Sequence, residues 1–502
     1  MNVQMDLKQN ARRSEWLLFF LLVVCLAYFL PRWADWNVNS RMDLIFAVVD
    51  QNTLAIDAYY QNTGDYAFYQ GHYYSDKAPG ASLLGIPFYA AFKALGGRVL
   101  VERLAAGLAN SAFAVTLNAD GRGMIGESLY FFAATTFVTF FTSVIPSAMA
   151  GVLVYRLARE WTGASRIAIV VALTYGLATP AFAYANNLYG HQLSAFLLLS
   201  AFYLASRAAR GIRPMLYAAL TGLALGVGLI TEYPTALIVA GIGLYALHKW
   251  RNIKMVAFAC LAGLPPLLLM FAYNYAIFQT PLPVGYLYSP LYSELHHTGL
   301  VSVTYPKPDV IFQLLFGAQR GLFLLSPILL VALVGFYWFA RERALRAEFF
   351  LTLWAVTSFL LFNGSSAMWQ GGFAVGPRYL VPMLPFLVLP LAFVWQHARA
   401  TWVRAGIASV LALSVWLVWI TTISGQLFPQ YQSFPLVQYS LPRFLQGDIA
   451  RNVGMVFNLK GFASLLPLAI LIGGGLGFFR WQSRAETSDA QLAQRETRTA
   501  LR

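Results

Sequence analysis

The chain has 502 residues, of which 58% are hydrophobic, 16% aromatic and 11% charged, with a mean hydropathy of +0.58. A soluble domain carries about 25% charged residues, so this composition excludes a soluble enzyme or a disordered scaffold and predicts an all-α polytopic membrane protein. The formal net charge of +14 then asks which side of a bilayer holds the basic residues, and nucleic acid is not an expected partner.

Apolar runs predict about twelve transmembrane helices: Trp16 to Leu30, Leu129 to Tyr155, Ile167 to Tyr184, Gln192 to Ser206, Met215 to Ile230, Thr235 to Leu247, Val256 to Phe278, Gly321 to Ala340, Phe349 to Phe362, Tyr379 to Trp395, Ala405 to Ser424 and Phe462 to Phe479. The first follows Lys8, Arg12 and Arg13 without a small-residue cleavage site, and reads as an uncleaved anchor. Cys25 and Cys260 both lie in apolar runs, so neither a disulfide framework nor a cysteine metal site is expected.

With the N-terminus in the cytoplasm, every second connection falls inside, and those connections are basic: Arg156/Arg159/Arg166, Arg207/Arg210/Arg213, Lys249/Arg251/Lys254, Arg341/Arg343/Arg346, Arg399/Arg404 and the tail from Arg480. This is the positive-inside pattern, and it accounts for most of the net charge. It predicts a multi-pass protein with both termini cytoplasmic: one membrane domain over 1–481 and a polar tail over 482–502. The internal connections are too short for a nucleotide-binding domain, and no GxxxxGK[ST] loop occurs.

Acidic residues collect on the other side, chiefly in the first external loop, 32–127, which holds Asp35, Asp43, Asp50, Asp57, Asp65 and Asp76. A connection this long is usually functional. Met42, Ile45, Phe46 and Val49 recur at helical spacing, predicting an interfacial helix from Arg41 to Val49 with Asp43 and Asp50 on one face. After Gly64-Asp65 and a tyrosine-rich stretch comes Ser75-Asp76-Lys77-Ala78-Pro79-Gly80, then a second short helix from about Ala81 to Leu95. Glu102, Arg103 and Asn110 argue against a further span over 99–118.

This succession of an amphipathic helix, a Gly-Asp step, [DE]-K-x-P and a second interfacial helix resembles the GT-C superfamily. Those integral-membrane glycosyltransferases include the protein O-mannosyltransferases and lipid A aminoarabinose transferases. Gln319-Arg320-Gly321-Leu322-Phe323, Trp369-Gln370-Gly371-Gly372 and Gly376-Pro377-Arg378-Tyr379 are similar to segments of an uncharacterised bacterial branch. The resemblance implies a hexosyl- or pentosyltransferase of the bacterial inner membrane. Its donor is a polyprenyl-phosphate sugar, and its acceptor is a hydroxyl of a glycolipid, a cell-wall polymer or a protein on the external face. The family's catalytic Asp stands at the start of the first interfacial helix. Alignment on Arg41 sets Val38-Asn39 there, and alignment on distance from the first span sets Asp43.

Such chemistry needs a base, cations for the departing phosphate and a path for the lipid. A carboxylate held partly out of water can serve as base, and Asp43, Asp57 and Asp50 are the candidates in that order. The plain alternative is that they cap or solvate an interfacial helix. Lys77, Arg320 and Arg378, each at the external mouth of a span, are the candidates for the phosphate, against ordinary snorkelling. Asp76, His72, Tyr74, Glu232, Tyr233 and Trp369 are candidates for holding sugar or acceptor, against a hairpin tip for Glu232 and the interfacial aromatic belt for the rings. His72, His191, His296 and His297 show no HxxxH or HExxH spacing, so no metal site is assigned, although a divalent cation bridging carboxylate and phosphate is compatible with these residues. Direct displacement predicts inversion at the anomeric carbon. The alternative function is a transporter or a flippase for lipid-linked sugar. Spans nearly free of charge, and halves that do not match, weigh against it.

Overall fold

A computed structural model describes residues 2–31, 35–108, 112, 127–426 and 428–478; the predicted tail 482–502 lies outside them. Helices dominate. Eight are long and apolar enough to cross a membrane: Leu129–Thr162, Gly190–Ala209, Pro214–Thr231, Ile253–Phe278, Arg343–Gly364, Arg378–His397, Thr401–Ile423 and Gly461–Phe478. The other four predicted runs are helical too. The first lies in α1 (Asn2–Tyr28), and the rest are short or interrupted. Ser165–Leu177 stops ahead of Pro180, Ala236–Lys249 has 14 residues, and the run from Gly321 breaks at Ser326-Pro327 before Ile328–Phe339 resumes. Proline explains the breaks, since it removes a helix donor and disfavours helical geometry in the residue before it.

The two ends of the bundle differ chemically. At one end the basic connections pair with acids on neighbouring helices: Arg156 with Glu15, Arg207 and Arg210 with Glu160, Lys249 with Glu348. The opposite end carries the segment after α1. Ile253–Phe278 stands at the periphery, with only 11% of its apolar window buried. It approaches Pro214–Thr231 closely enough that a Cβ on Gly222 would fall 1.8 Å from the carbonyl oxygen of Ala259.

The first interfacial helix, α2, runs Trp36–Gln51 and so begins five residues earlier than its apolar spacing predicts. Asp35 caps it, accepting from the Asn37 amide at 2.9 Å. Polar Asn37, Asn39 and Ser40 in the first turn hide this start from a hydrophobicity reading, yet all three are buried. Tyr59 lies within electrostatic reach of both Asp43 and Asp50, so the predicted common face exists.

The chain then departs from all-helical expectation in one place. Strands β1 (Tyr66–Tyr69) and β2 (His72–Ser75) form an antiparallel hairpin with Tyr66 opposite Ser75 and Tyr69 opposite His72. Gln70 and Gly71 both have positive φ (50° and 85°), as a two-residue turn matching strand twist requires.

Helix α3 (Gly80–Ala94) follows, and α4 (Gly97–Leu108) leaves it at 66° through Gly96. Gly80 is needed where it stands: a Cβ there would lie 2.7 Å from the backbone of Ile230 and Thr231. Arg41, buried on α2, donates to the Ala78 carbonyl at 3.0 Å and to Asn37 at 3.1 Å, and the Ser82 hydroxyl donates back to the Arg41 carbonyl. These bonds tie α2 to α3 around Asp76-Lys77, and the close approach at Gly80 sets the end of Pro214–Thr231 against them.

Candidate active site

Lys77 is buried between two carboxylates, with Nζ 2.8 Å from Asp65 and 3.1 Å from Asp76. Burial works against its charge, but the two acids outweigh it and hold the ammonium above the ordinary lysine range. The Asp76 carboxyl is pushed up to about 6, chiefly by burial and against the pull of Lys77. The ring of Tyr286 lies 5.8 Å from Lys77 Nζ, and the same ring is within reach of Arg41 and Glu232. Burial likewise raises the Tyr233 and Tyr286 hydroxyls, so both stay protonated donors.

A second pairing adjoins the first. Arg378 is buried, donating to the Tyr189 hydroxyl at 3.4 Å and the Tyr379 hydroxyl at 3.2 Å, with Nε unpartnered among the described residues. Asp35, half-buried at the start of α2, is raised by burial, while Arg378 pulls it down and Asp65 pushes it up. Gly64 is the residue that fits before Asp65, because a Cβ there would meet the Trp36 indole at 2.8 Å. A cavity of about 40 Å³ is lined by Asp35, Asn39, Thr139 and Asn187 among others. The carboxamide oxygens of Asn39 and Asn187 make no hydrogen bond among the described residues.

A third pair closes the circuit. His191 Nδ1 is 2.6 Å from Glu232 Oε1, and the His191 ring stacks on Tyr189 and meets Tyr379 edge-on. Gly190 makes room for it, since a Cβ would reach the Glu232 carboxylate at 2.8 Å. Carboxylates, cations and tyrosines from five separate stretches of chain thus meet at the end of the bundle opposite the basic connections.

Of the residues singled out from sequence, Asp76, Lys77, Glu232, Tyr233 and Arg378 are in this cluster. Others are engaged elsewhere. Asp57 is exposed and accepts from the Tyr73 amide at 2.7 Å, with His72 Nδ1 at 2.7 Å from its other oxygen, so both residues secure the hairpin. Asp50 is held by Lys93 at 2.7 Å and by the Tyr89 hydroxyl at 2.8 Å. Tyr74 leans on Phe278, and Trp369 is half-buried against the core. Asp43 is fully buried beside Asn62, which donates to it at 3.0 Å. Burial raises it well above the usual carboxylate range, and its second oxygen makes no hydrogen bond among the described residues.

Arg320 differs most from expectation. Its guanidinium donates to the carbonyls of Gln370 (2.6 Å), Gly372 (2.6 Å), Ala374 (3.0 Å) and Gln319 (3.2 Å). With these donors committed, it holds the 370–376 loop instead of presenting a fork to a phosphate. Gly371 and Gly372 take positive φ (69° and 61°) to fold around it, and Gly371 backs onto Arg378.

Asp35, Asp65, Arg41, Tyr189 and His191 were not singled out from sequence. The Gly-Asp step and an Asp directly ahead of a buried polar turn were the signals for the first two. Among the described residues no three His, Cys, Asp or Glu side chains are gathered to hold a metal ion.

No protein-family model matches this chain, and no curated protein sequence does. Among solved structures it is similar to ArnT from Cupriavidus metallidurans bound to undecaprenyl phosphate, at 12% identity over 93% of this chain and 77% of that one, with a TM-score of 0.45. It is also similar to the archaeal oligosaccharyltransferase AglB from Archaeoglobus fulgidus in complex with an inhibitory peptide and a dolichol-phosphate, at 12% identity over 82% of this chain and 55% of that one, TM-score 0.45. Likenesses of this size assign neither residues nor substrate.

Proposed function

We propose that this protein is a glycosyltransferase that moves a sugar from a polyprenyl-phosphate donor to an acceptor hydroxyl, with inversion at the anomeric carbon. The observation that carries the reading is the gathering of acids and cations at one mouth of a helical bundle, with Lys77 buried between Asp65 and Asp76 and with Asp35 within electrostatic reach of Arg378. The likeness of the Asp76-Lys77-Ala78-Pro79 region to GT-C enzymes supports it. So does the position of Asp35, which is the acid at the start of α2 once the helix is seen to begin at Trp36.

In this reading Asp35 takes the acceptor proton, replacing Asp43, whose bonded oxygen faces Asn62. The acceptor oxygen forms a bond to the anomeric carbon as the bond from that carbon to the phosphate oxygen breaks. The electron pair leaves with the polyprenyl phosphate, which Lys77 and Arg378 stabilise as a fixed, water-poor pair of cations. Tyr233 and Tyr286 donate to the sugar or the phosphate. The positive-inside pattern supports an external position for the cluster, and the GT-C resemblance supports a bacterial cytoplasmic membrane.

The test is transfer of labelled sugar from a panel of polyprenyl-phosphate donors by purified protein in liposomes, with membrane extract supplying acceptor. We expect one donor to be used, and Asp35→Asn to lower the rate about 100-fold or more with donor binding kept, as for loss of a general base. Donor carried across the bilayer intact, with no transfer from any of the panel, would assign the protein to the flippases instead.

A further inference from the structure

The connection between Thr401–Ile423 and Gly461–Phe478 contains a groove that the proposed chemistry does not use. Its volume is about 360 Å³, within the roughly 300–1,000 Å³ of small-molecule sites. Tyr431, 78% exposed, stands on one side, and Gln432, Gln438 and Gln446 line the groove with the Arg443–Asp448 ion pair, beside Tyr439 and two prolines, Pro429 and Pro442. The Arg443 guanidinium lies over the Tyr439 ring at 4.6 Å.

We infer that this groove binds a saccharide chain, so that the acceptor of the proposed transfer is a carbohydrate; the inference rests on that transfer reading. The lining has what a sugar needs. A pyranose presents an apolar C–H face, which an exposed tyrosine ring covers, and an edge of hydroxyls that both give and accept hydrogen bonds. Carboxamides answer both needs at once. The Gln438 oxygen is already taken by the Phe434 amide at 2.9 Å and the Ser433 hydroxyl at 3.3 Å, which leaves its two N–H donors to give.

Charge narrows the ligand. Arg443 and Asp448 neutralise each other, so the groove offers no uncompensated cation to a phosphate. A peptide that adds a strand finds no strand edge among the lining residues, and three carboxamides favour a hydroxyl-rich ligand over apolar side chains.

The position suits an acceptor. Gln319 donates to the carbonyls of Gln430 and Gln432 at 2.9 and 3.1 Å, and it directly precedes Arg320, which clamps the 370–376 loop. Gly371 in that loop backs onto Arg378. The floor of the groove and the phosphate-facing arginine are therefore parts of one braced assembly.

The experiment uses the full chain in nanodiscs and saturation-transfer NMR. The probes are β-1,4-glucan, α-1,4-glucan and β-1,4-N-acetylglucosamine tetrasaccharides, inorganic phosphate and a Ser/Thr-rich decapeptide. We expect a tetrasaccharide to bind. Tyr431→Ala and Gln446→Leu should each weaken it about fivefold or more, and Tyr431→Phe should keep it. All three variants should retain the thermal midpoint. Binding of no saccharide, equal binding by Tyr431→Ala and Gln446→Leu, or binding of the peptide in its place overturns the inference. Saccharide bound through Tyr431 by a protein that consumes no donor upholds the groove and overturns the transfer reading, so the two fail separately.

Discussion

Two arginines show how little a residue's type says about its work. Arg320 and Arg378 both precede apolar runs, both are buried, and both lie near glycines. Arg320 spends its donors on backbone carbonyls, whereas Arg378 meets two tyrosine hydroxyls and an acid. Arg320→Lys leaves buried carbonyls unpaired, at about 1–3 kcal/mol for each such group, and a clear fall in the thermal midpoint is expected. Arg378→Lys should hold the midpoint within a few degrees and lose most of the transfer rate. A scan of both variants beside an activity assay checks this, and equal destabilisation of the two would reject the division of labour.

Asp76 makes the site sensitive to pH. Its folded value of about 6 lies above the roughly 3.9 of an unfolded aspartate. The folded chain therefore holds a proton that the unfolded chain has released. The stability this group contributes is fully present below about pH 4 and is lost as pH rises through about 6. Function moves with the same proton. Once Asp76 is neutral, Lys77 keeps only Asp65 as a counter-charge, so affinity for a polyprenyl-phosphate sugar, a diester that keeps its single charge across this range, should rise several-fold between pH 7 and 5. Asp76→Asn should bind with the acidic affinity at both values. Titration calorimetry at the two pH values decides it, and the same dependence in wild type and variant would refute it.

Among the elements, those built on apolar periodicity were legible and those built on polar contacts were not. Each predicted apolar run is helical, since twenty apolar residues leave the backbone few other ways to satisfy its hydrogen bonds. The start of α2 was missed because Asn37, Asn39 and Ser40 read as solvent-facing and are buried. The hairpin was missed because the tyrosines of 66–75 read as an interfacial aromatic belt or as sugar contacts, although two aromatic runs around Gln70-Gly71 are also a strand–turn–strand pattern. Asp57 looked like a free acid only while that hairpin was unseen. Asp76 and Lys77, adjacent in the sequence, both fall in the buried cluster, but their partner Asp65 comes from before the hairpin and needs the fold to reach them. Gly80 tests how strictly α3 places them. Gly80→Ala puts a methyl against the backbone of Ile230 and Thr231, which cannot rotate away. A loss of about 1–3 kcal/mol is expected, together with lower transfer. Gly96→Ala, strained at φ +78° but in open space, should cost about 1–2 kcal/mol of stability and leave transfer unchanged. Equal transfer by both variants would argue against this tight placement of Lys77.

Over the whole molecule, the division between a basic end and an acid-lined end was legible in the order of charges along alternate connections, because the charges of a membrane protein are sorted by the bilayer. What composition did not contain is how the long helices are braced against one another. Ile253–Phe278 is 26 residues long, about 39 Å at 1.5 Å per residue, against a hydrocarbon core of about 30 Å. It must lean to fit, and its main close contact is the bare backbone crossing at Gly222 and Ala259. Its last turns carry Tyr273, within electrostatic reach of Asp76, and Asn274, close to Tyr233. With Gly226 also crossing Gly263, the helix is a lever pivoted on glycines, whose short arm ends among the clustered acids and tyrosines. A thicker bilayer stands it more upright and a thinner one tips it further. The transfer rate in liposomes of 14- to 22-carbon lipids should pass through a maximum, and replacing Gly222 with valine should move that maximum. A rate indifferent to chain length would mean that the lever is locked. If it moves, the thickness of the membrane around the enzyme is one of the quantities the enzyme reads.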